Sequence, residues 1–251
     1  MRTPLALSNW KMAMTLPQAR AFVQDLLPRV ADLVDRVEIV ICPPYTALHE
    51  VAEMVRGTGI AVGGQDLWPG PDEAHTGAIS GPLLADAGAT WVMVGHWEIR
   101  RRLKEDDVAV GRKVRAAFEA GLRPILLFGE PSGERFDPDR LAILLARCEA
   151  EEVARMAFVY EPEGAIGRAE PVPPEHAAAG CRAIRRWVAD RYGEWVAERV
   201  RVIYGGSVTS EHATALLTDP DVDGLGASRR GRDPSAFAEI VREIARLKCR
   251  R

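Results

Sequence analysis

Cysteines are few in this chain, and its histidines do not occur at the spacing of a metal site. The four cysteines, Cys42, Cys148, Cys181 and Cys249, are widely separated and form no C-x-x-C pair. A disulfide framework or a zinc centre is therefore not expected, and a reducing compartment is the simplest interpretation. The five histidines include no H-E-x-x-H pattern, so they give no reason to expect a bound metal.

Long apolar runs and an excess of one charge are also lacking. No apolar run reaches the ~18 residues of a membrane-spanning helix. The short apolar piece near Met1 does not have the pattern of a secretion signal. The net charge of −3 offers no excess of basic residues for nucleic acid. These absences predict a cytoplasmic protein that binds neither membranes nor nucleic acid.

What the chain does contain is a regular alternation of short apolar runs and amphipathic stretches, with no linker between them. The predicted strands are Leu5–Asn9, Val37–Cys42, Ile60–Gly64, Trp91–Gly95, Pro124–Phe128, Ala157–Glu161, Val200–Tyr204 and Val222–Ala227. The predicted helices begin near Leu16, Tyr45, Gly81, Asp107, Asp137, Pro174, Ser210 and Pro234. Eight such pairs predict an α/β protein, a (β/α)8 barrel forming a single domain over residues 1–251. An open doubly wound sheet is disfavoured because no G-x-G-x-x-G turn follows the first strand.

Polar residues with chemical potential occur where the predicted strands end. They are Asn9 and Lys11, Gln65, His96, Glu130, Glu161, and the run Gly205-Gly206-Ser207. In barrel enzymes the C-terminal ends of the strands carry the catalytic side chains. We therefore expect these residues to share one mouth of the barrel, although each alone has an ordinary interpretation as a core, turn or surface residue.

Six motifs follow one another at a characteristic spacing. They are Asn9-Trp10-Lys11-Met12, Gly95-His96-x-Glu98, Gly129-Glu130, Tyr160-Glu161-Pro162, Ala165-Ile166-Gly167 and Tyr204-Gly205-Gly206-Ser207-Val208. Together they resemble the triosephosphate isomerase family, from Asn9 to about Phe237. The resemblance implies a TIM barrel and a homodimeric isomerase of glycolysis and gluconeogenesis. Such an enzyme interconverts dihydroxyacetone phosphate and glyceraldehyde 3-phosphate without a cofactor or metal.

The resemblance also implies a role for each polar residue of the first, fourth and sixth strand ends. Glu161 is the expected base, and His96 is the expected electrophile, as a neutral imidazole that donates a hydrogen bond to the enediolate. Lys11 supplies positive charge toward the substrate, and Asn9 orients this lysine. Glu98 resembles a carboxylate that supports them from behind, with an ordinary surface carboxylate as the alternative.

The grip on phosphate is expected from backbone N–H groups, because glycine permits close approach. The resemblance assigns it to Gly167 and Ser207, beside Gly205 and Gly206. The segment after strand eight is ambiguous. A gapped match places Gly226 at the usual glycine pair, whereas an ungapped match places Ser228-Arg229 there, where arginine could bind phosphate by its side chain.

Several positions depart from the family pattern. Glu163-Gly164 replaces an apolar pair at the start of the lid, residues 162–174, and Arg168-Ala169-Glu170 replaces its usual tip. Trp97 stands where the family has serine, and we expect it to reshape the pocket. Ile99 removes one arginine of a buried ion pair. Because the acid–base residues remain, these changes point to altered specificity or efficiency more than to lost chemistry.

Two other functions are therefore considered. One is an isomerase of a four-carbon ketose phosphate, such as erythrulose phosphate, with the same mechanism and one more hydroxymethylene group to house. The other is a non-catalytic phosphate-binding relative, which the altered lid favours and the intact Lys11, His96 and Glu161 disfavour. Whichever function applies, the resemblance implies a homodimer through loop 66–79, with Thr76 near the partner's Asn9 and Lys11 region. A surface loop that packs on itself is the alternative.

Overall fold

The structure is a computed structural model that describes residues 2–70, 74–166, 171–206 and 210–249. Within them, eight parallel strands close into a barrel in chain order. The strands are β1 (Leu5–Asn9), β2 (Glu38–Cys42), β3 (Ile60–Gly64), β4 (Trp91–Val94), β5 (Arg123–Phe128), β6 (Ala157–Tyr160), β7 (Arg201–Gly205) and β8 (Gly224–Ala227). The predicted (β/α)8 barrel is confirmed, and each strand boundary lies within one or two residues of its predicted place.

Helices follow the strands and surround the barrel. They are α1 (Leu16–Val30), α2 (Tyr45–Val55), α3 (Gly81–Asp86), α4 (Trp97–Leu103), α5 (Asp107–Glu119), α6 (Leu141–Leu144), α7 (Ala150–Val153), α8 (Pro174–Tyr192), α9 (Glu194–Ala197), α10 (Ser210–Thr218) and α11 (Pro234–Lys248). Capping side chains set several starts, as where Asp233 accepts from Ala236 N at 2.8 Å. The short α4, α7 and α9 lie outside the predicted set, because one or two turns give little apolar periodicity.

The core has two layers, because successive side chains of a strand point to opposite faces of the sheet. The outward-facing residues pack against the helices. The inward-facing residues fill the barrel, and they include Leu5 and Leu7 of β1 and Ala157 and Val159 of β6. Continuing this period of two places Asn9 and Glu161 on the inward side, at the barrel mouth.

The end of the barrel where the strands begin is closed by ion pairs. Glu38, the first residue of β2, accepts from Arg123 at 2.7 Å and from Arg201 at 3.1 Å. Asp223 is buried between Arg2 and Arg185 and also accepts from the backbone N–H of Val202. Charged groups at this end are thus largely satisfied by one another.

The helices of the described ranges were searched for a membrane span. None of them is both long enough and apolar enough to cross a bilayer.

Candidate active site

A cavity of about 330 Å³ opens at the C-terminal ends of the strands. The predicted site residues that line it are Asn9, Lys11, His96, Glu161, Gly205, Gly206, Gly226, Ser228 and Arg229. Glu98 lines an adjoining cavity that shares Asn9, Lys11 and His96. The structure therefore brings these ten residues to one mouth. The remaining two predicted residues, Gly167 and Ser207, lie outside the described residues.

Glu161 and His96 face each other across this cavity. Glu161 Oε2 lies 3.7 Å from His96 Nε2. The two residues are 9% and 5% exposed, so bulk water competes little with a bound substrate. Among the described residues, Glu161 Oε2 has no hydrogen-bond partner. A buried carboxylate oxygen without a partner is available to take a proton from a molecule in the cavity.

His96 obtains its orientation from helix α4, which it caps. Its Nδ1 accepts the backbone N–H of Glu98 at 3.1 Å. A ring nitrogen that accepts must be unprotonated, so this contact fits a neutral imidazole whose proton is on Nε2. That nitrogen points toward Glu161 and the cavity, where it can donate a hydrogen bond.

Lys11 has a backbone conformation that few lysines adopt, with φ of 53°. Two side chains hold it there. Asn9 Oδ1 accepts from the backbone N–H of Lys11 at 2.9 Å. Gln65 Nε2 donates to the carbonyl of Lys11 at 2.8 Å and to that of Cys42 at 3.0 Å. Gln65 was marked only by its place at a strand end, and it supports the loop that carries Lys11.

The Lys11 ammonium meets Glu98 at 2.7 Å. Burial alone raises the pKa of the Glu98 carboxyl, but the hydrogen bond and charge of Lys11, together with Arg102, outweigh burial and hold this pKa below its usual range. Glu98 therefore remains ionised and fixes the ammonium at the wall of the cavity.

Trp97 does not line either cavity. The residue is 8% exposed, and its indole Nε1 donates to the carbonyl oxygen of Glu161 at 2.9 Å. The indole therefore contacts the main chain of the candidate base and forms no part of either cavity's lining. Trp97 is the first residue of α4 and directly follows His96, and its ring lies against the main chain of Glu161.

The segment after β8 brings arginines to the cavity. Strand pairing aligns Ser8 with Ala227, so Ser228 and Arg229 follow at the level of Asn9. Arg232 also lines both cavities, although the motifs did not point to it. Ser8 Oγ donates to the carbonyl of the buried Gly231 at 2.6 Å and so fixes this turn.

The three arginines of this turn differ in their partners. Arg230 pairs with Glu239 at 3.0 Å. Arg229 and Arg232 are exposed and form no ion pair with the residues of the described ranges. These two guanidinium groups are available to an anion at the mouth.

Metal-ligand residues were searched over the same ranges. The described residues include no group of three or more His, Cys, Asp or Glu side chains that could hold a metal ion.

A closed (β/α)8 barrel with a carboxylate, an imidazole and an ammonium group at its C-terminal mouth defines an enzyme of the barrel class built for acid–base chemistry. The family model described as triosephosphate isomerase matches residues 4–244. This chain belongs to the triosephosphate isomerase family, which confirms the resemblance of its motifs.

Three relatives are similar to this chain over all or nearly all of its length. A protein named triosephosphate isomerase from Symbiobacterium thermophilum is 44% identical over 100% of both chains. Proteins of the same name from Roseiflexus sp. strain RS-1 and Chloroflexus aurantiacus are 40% and 38% identical. Each covers 96% of this chain, and the matches span 97% and 99% of the relatives.

Proposed function

We propose that this protein interconverts dihydroxyacetone phosphate and glyceraldehyde 3-phosphate by moving a proton between adjacent carbons. The observation that carries the proposal is the separation of 3.7 Å between Glu161 Oε2, which has no partner among the described residues, and His96 Nε2. A base that can take a proton from carbon and a hydrogen-bond donor for the substrate oxygen thus face the same cavity. The reaction requires those two groups in that relation.

In the first step, Glu161 removes a proton from the carbon beside the carbonyl group, and the C–H electron pair forms a carbon–carbon double bond. The carbonyl electrons move onto oxygen, where the Nε2–H of His96 and the Lys11 ammonium stabilise the charge of the enediolate. In the second step, the protonated Glu161 returns the proton to the neighbouring carbon. The hydroxyl oxygen on the carbon that lost its proton gives its own proton to the former carbonyl oxygen. Atoms and charge therefore balance.

The substrate's phosphate is the second requirement. Gly205, Gly206, Gly226, Ser228 and Arg229 line the cavity. The backbone N–H groups of the first four and the guanidinium group of Arg229 are the proposed donors to phosphate. Gly167 and Ser207 complete the grip by analogy with the family. Their contribution rests on that resemblance alone.

The matched relatives bear the name triosephosphate isomerase, which favours a three-carbon substrate over a four-carbon ketose phosphate. The facing carboxylate and imidazole disfavour a non-catalytic protein. The test is turnover of glyceraldehyde 3-phosphate and of erythrulose phosphate by the purified protein, with Glu161→Asp as the control. Moving the carboxylate back by one methylene should reduce kcat far more than it changes KM. The proposal is contradicted if the four-carbon substrate is turned over faster than glyceraldehyde 3-phosphate, or if neither substrate is turned over.

We also infer that the chain forms a homodimer through loop 66–79. In its described part, the loop has a fixed shape, because Trp68 N donates to Ile79 O at 2.7 Å and the ring centroids of Trp68 and His75 are 3.9 Å apart. Thr76 is exposed on this loop, where it can meet a partner's Lys11 region. Light scattering tests the state, and a fully active monomer contradicts it. A cytoplasmic location is likewise proposed, and cell fractionation tests it.

A further inference from the structure

We propose that Trp97 is a positioning residue, which holds the main chain of the base in place so that the Glu161 carboxylate faces His96. This inference rests on the proposed isomerisation. Its basis is the hydrogen bond of 2.9 Å from the buried Trp97 Nε1 to the carbonyl oxygen of Glu161. Glu161 lines the cavity and Trp97 does not, so the indole acts through Glu161 and not on substrate.

The need for such a contact follows from where β6 ends. The strand stops at Tyr160, and Glu161 N still donates to Phe128 O of β5 at 3.0 Å. Its own carbonyl lies beyond the strand ladder, and the next residue, Pro162, has no N–H. Trp97 supplies the partner that the sheet no longer provides. The peptide groups on both sides of the Glu161 Cα are thereby fixed, and with them the direction of the Cα–Cβ bond from which the carboxylate extends.

The packing around this carbonyl leaves little room for adjustment. A Cβ atom added to Gly129 would lie 2.3 Å from Glu161 O, so only glycine permits the approach of β5. On the other side, the Arg100 guanidinium lies 5.4 Å from the Trp97 ring centroid. Arg100 is itself held by Gly95 O at 3.0 Å and by Asp107 at 2.7 Å.

Helix α4 makes a second contact to the same segment. Arg101, four residues after Trp97 and so on the same side of the helix, pairs with Glu163. The backbone N–H of Ser132 donates to the other oxygen of Glu163 at 2.6 Å. Because about half of the Arg101 side chain is exposed, this ion pair contributes little. The buried Trp97 bond is the stronger restraint.

The test compares Trp97→Phe, which removes the N–H and keeps an aromatic ring, with Trp195→Phe. Trp195 is 39% exposed and lies in α9, away from the cavity. We expect Trp97→Phe to lower kcat roughly tenfold or more, because small displacements of a reacting group are costly. KM should change less than about twofold, because no substrate contact is lost. Trp195→Phe should keep the kcat and KM of the unaltered protein.

A second variant separates the hydrogen bond from the shape of the ring. Replacement of Trp97 by 3-benzothienylalanine preserves the bicyclic shape and has no N–H. It should reproduce the loss of kcat, and crystal structures of both variants should show a longer distance from Glu161 Oε2 to His96 Nε2. Normal kcat in this isosteric variant, or a change confined to KM, would overturn the role of Trp97 and leave the isomerase activity standing. A folded, unaltered protein without turnover would instead overturn the proposed function, and the role of Trp97 with it.

Discussion

At the end of the barrel where the strands begin, acidic groups are enclosed by basic ones. Glu38 bridges Arg123 and Arg201, and the 5% exposed Asp223 receives Arg2 and Arg185. At the opposite end, the Glu161 oxygen that faces His96 has no hydrogen-bond partner among the described residues, although Glu161 is also buried, with 9% of its surface exposed. Buried carboxylates are thus paired with arginines at one end of the barrel and left with an unpaired oxygen at the other.

The comparison separates stability from chemistry. A buried carboxylate that is fully paired holds elements together, and its loss leaves uncompensated charges behind. A buried carboxylate that is left unpaired adds nothing to stability, and its oxygen is free to react. Substitutions at the two ends should therefore have opposite effects on activity and on unfolding, which can be measured on the same samples.

The largest effect is expected for Glu161→Gln. The amide cannot accept the substrate's proton, so kcat should fall about 10³-fold, within the range for loss of a general base. The midpoint of thermal unfolding should stay the same or rise, because an unpaired buried charge disappears. Steady-state kinetics and a thermal melt test both statements. Glu163→Gln, two residues away and outside the cavity wall, is the matched control. A loss in that control as large as in Glu161→Gln would contradict the assignment of the base.

Asp223→Asn probes the other end. It removes the charge that pairs with Arg2 and Arg185, whereas Arg185 keeps its ion pair with Asp221 at 3.1 Å. Loss of one member of a buried pair costs about 3–5 kcal/mol, and the remaining Asp221 contact places the expected loss at the lower end of that range. Denaturant unfolding should report this loss, whereas kcat of the folded protein should be unchanged. Glu239→Gln removes only the exposed pair with Arg230 and should cost less than about 1 kcal/mol. A lower kcat in Asp223→Asn at temperatures where the protein is folded would show that the charges at this end also affect the reaction, and would contradict the comparison.

The strands and the inward direction of the base could be predicted from the sequence. Apolar runs and capping residues such as Asp233 mark the boundaries, and the period of two from Ala157 through Val159 leads to Glu161. These signals are local in the sequence, and closure of the barrel leaves the strand boundaries within one or two residues of the predicted positions.

Contacts between side chains and distant backbone could not be predicted in this way. The sequence predicted only that Trp97 would reshape the pocket, and it did not indicate that the indole donates to a carbonyl 64 residues further along the chain. Arg232 reaches the cavity because a buried hydrogen bond from Ser8 fixes the turn before it. Neither direction is encoded in a motif, since each depends on how α4 and the β8 segment lie against the barrel.

A smaller effect than that of the base is expected for Lys11→Met. Removing the cation near the developing negative charge should lower kcat/KM about 10²-fold. Lys104 offers a control with the same unusual φ angle, which is 53° for Lys11 and 54° for Lys104. Because Lys104 is exposed and lines neither cavity, Lys104→Met should retain full activity. If both variants lost activity equally, backbone strain and not charge at the mouth would explain the result.

The smallest effect is expected at the rim, where the comparison between paired and unpaired charge can be made within one turn. Arg232 lines the cavity without an ion-pair partner in the described ranges, whereas Arg230 is engaged by Glu239. Arg232→Gln should raise KM for glyceraldehyde 3-phosphate roughly fivefold to tenfold, as for loss of one exposed charge-assisted contact, and leave kcat nearly unchanged. Arg230→Gln should change neither constant. Because exposed charges are screened, the difference between the two variants should shrink as salt rises from 0.05 to about 0.5 M. A KM effect that is equal in both variants, or independent of salt, would show that the turn's shape and not its free guanidinium group serves the substrate.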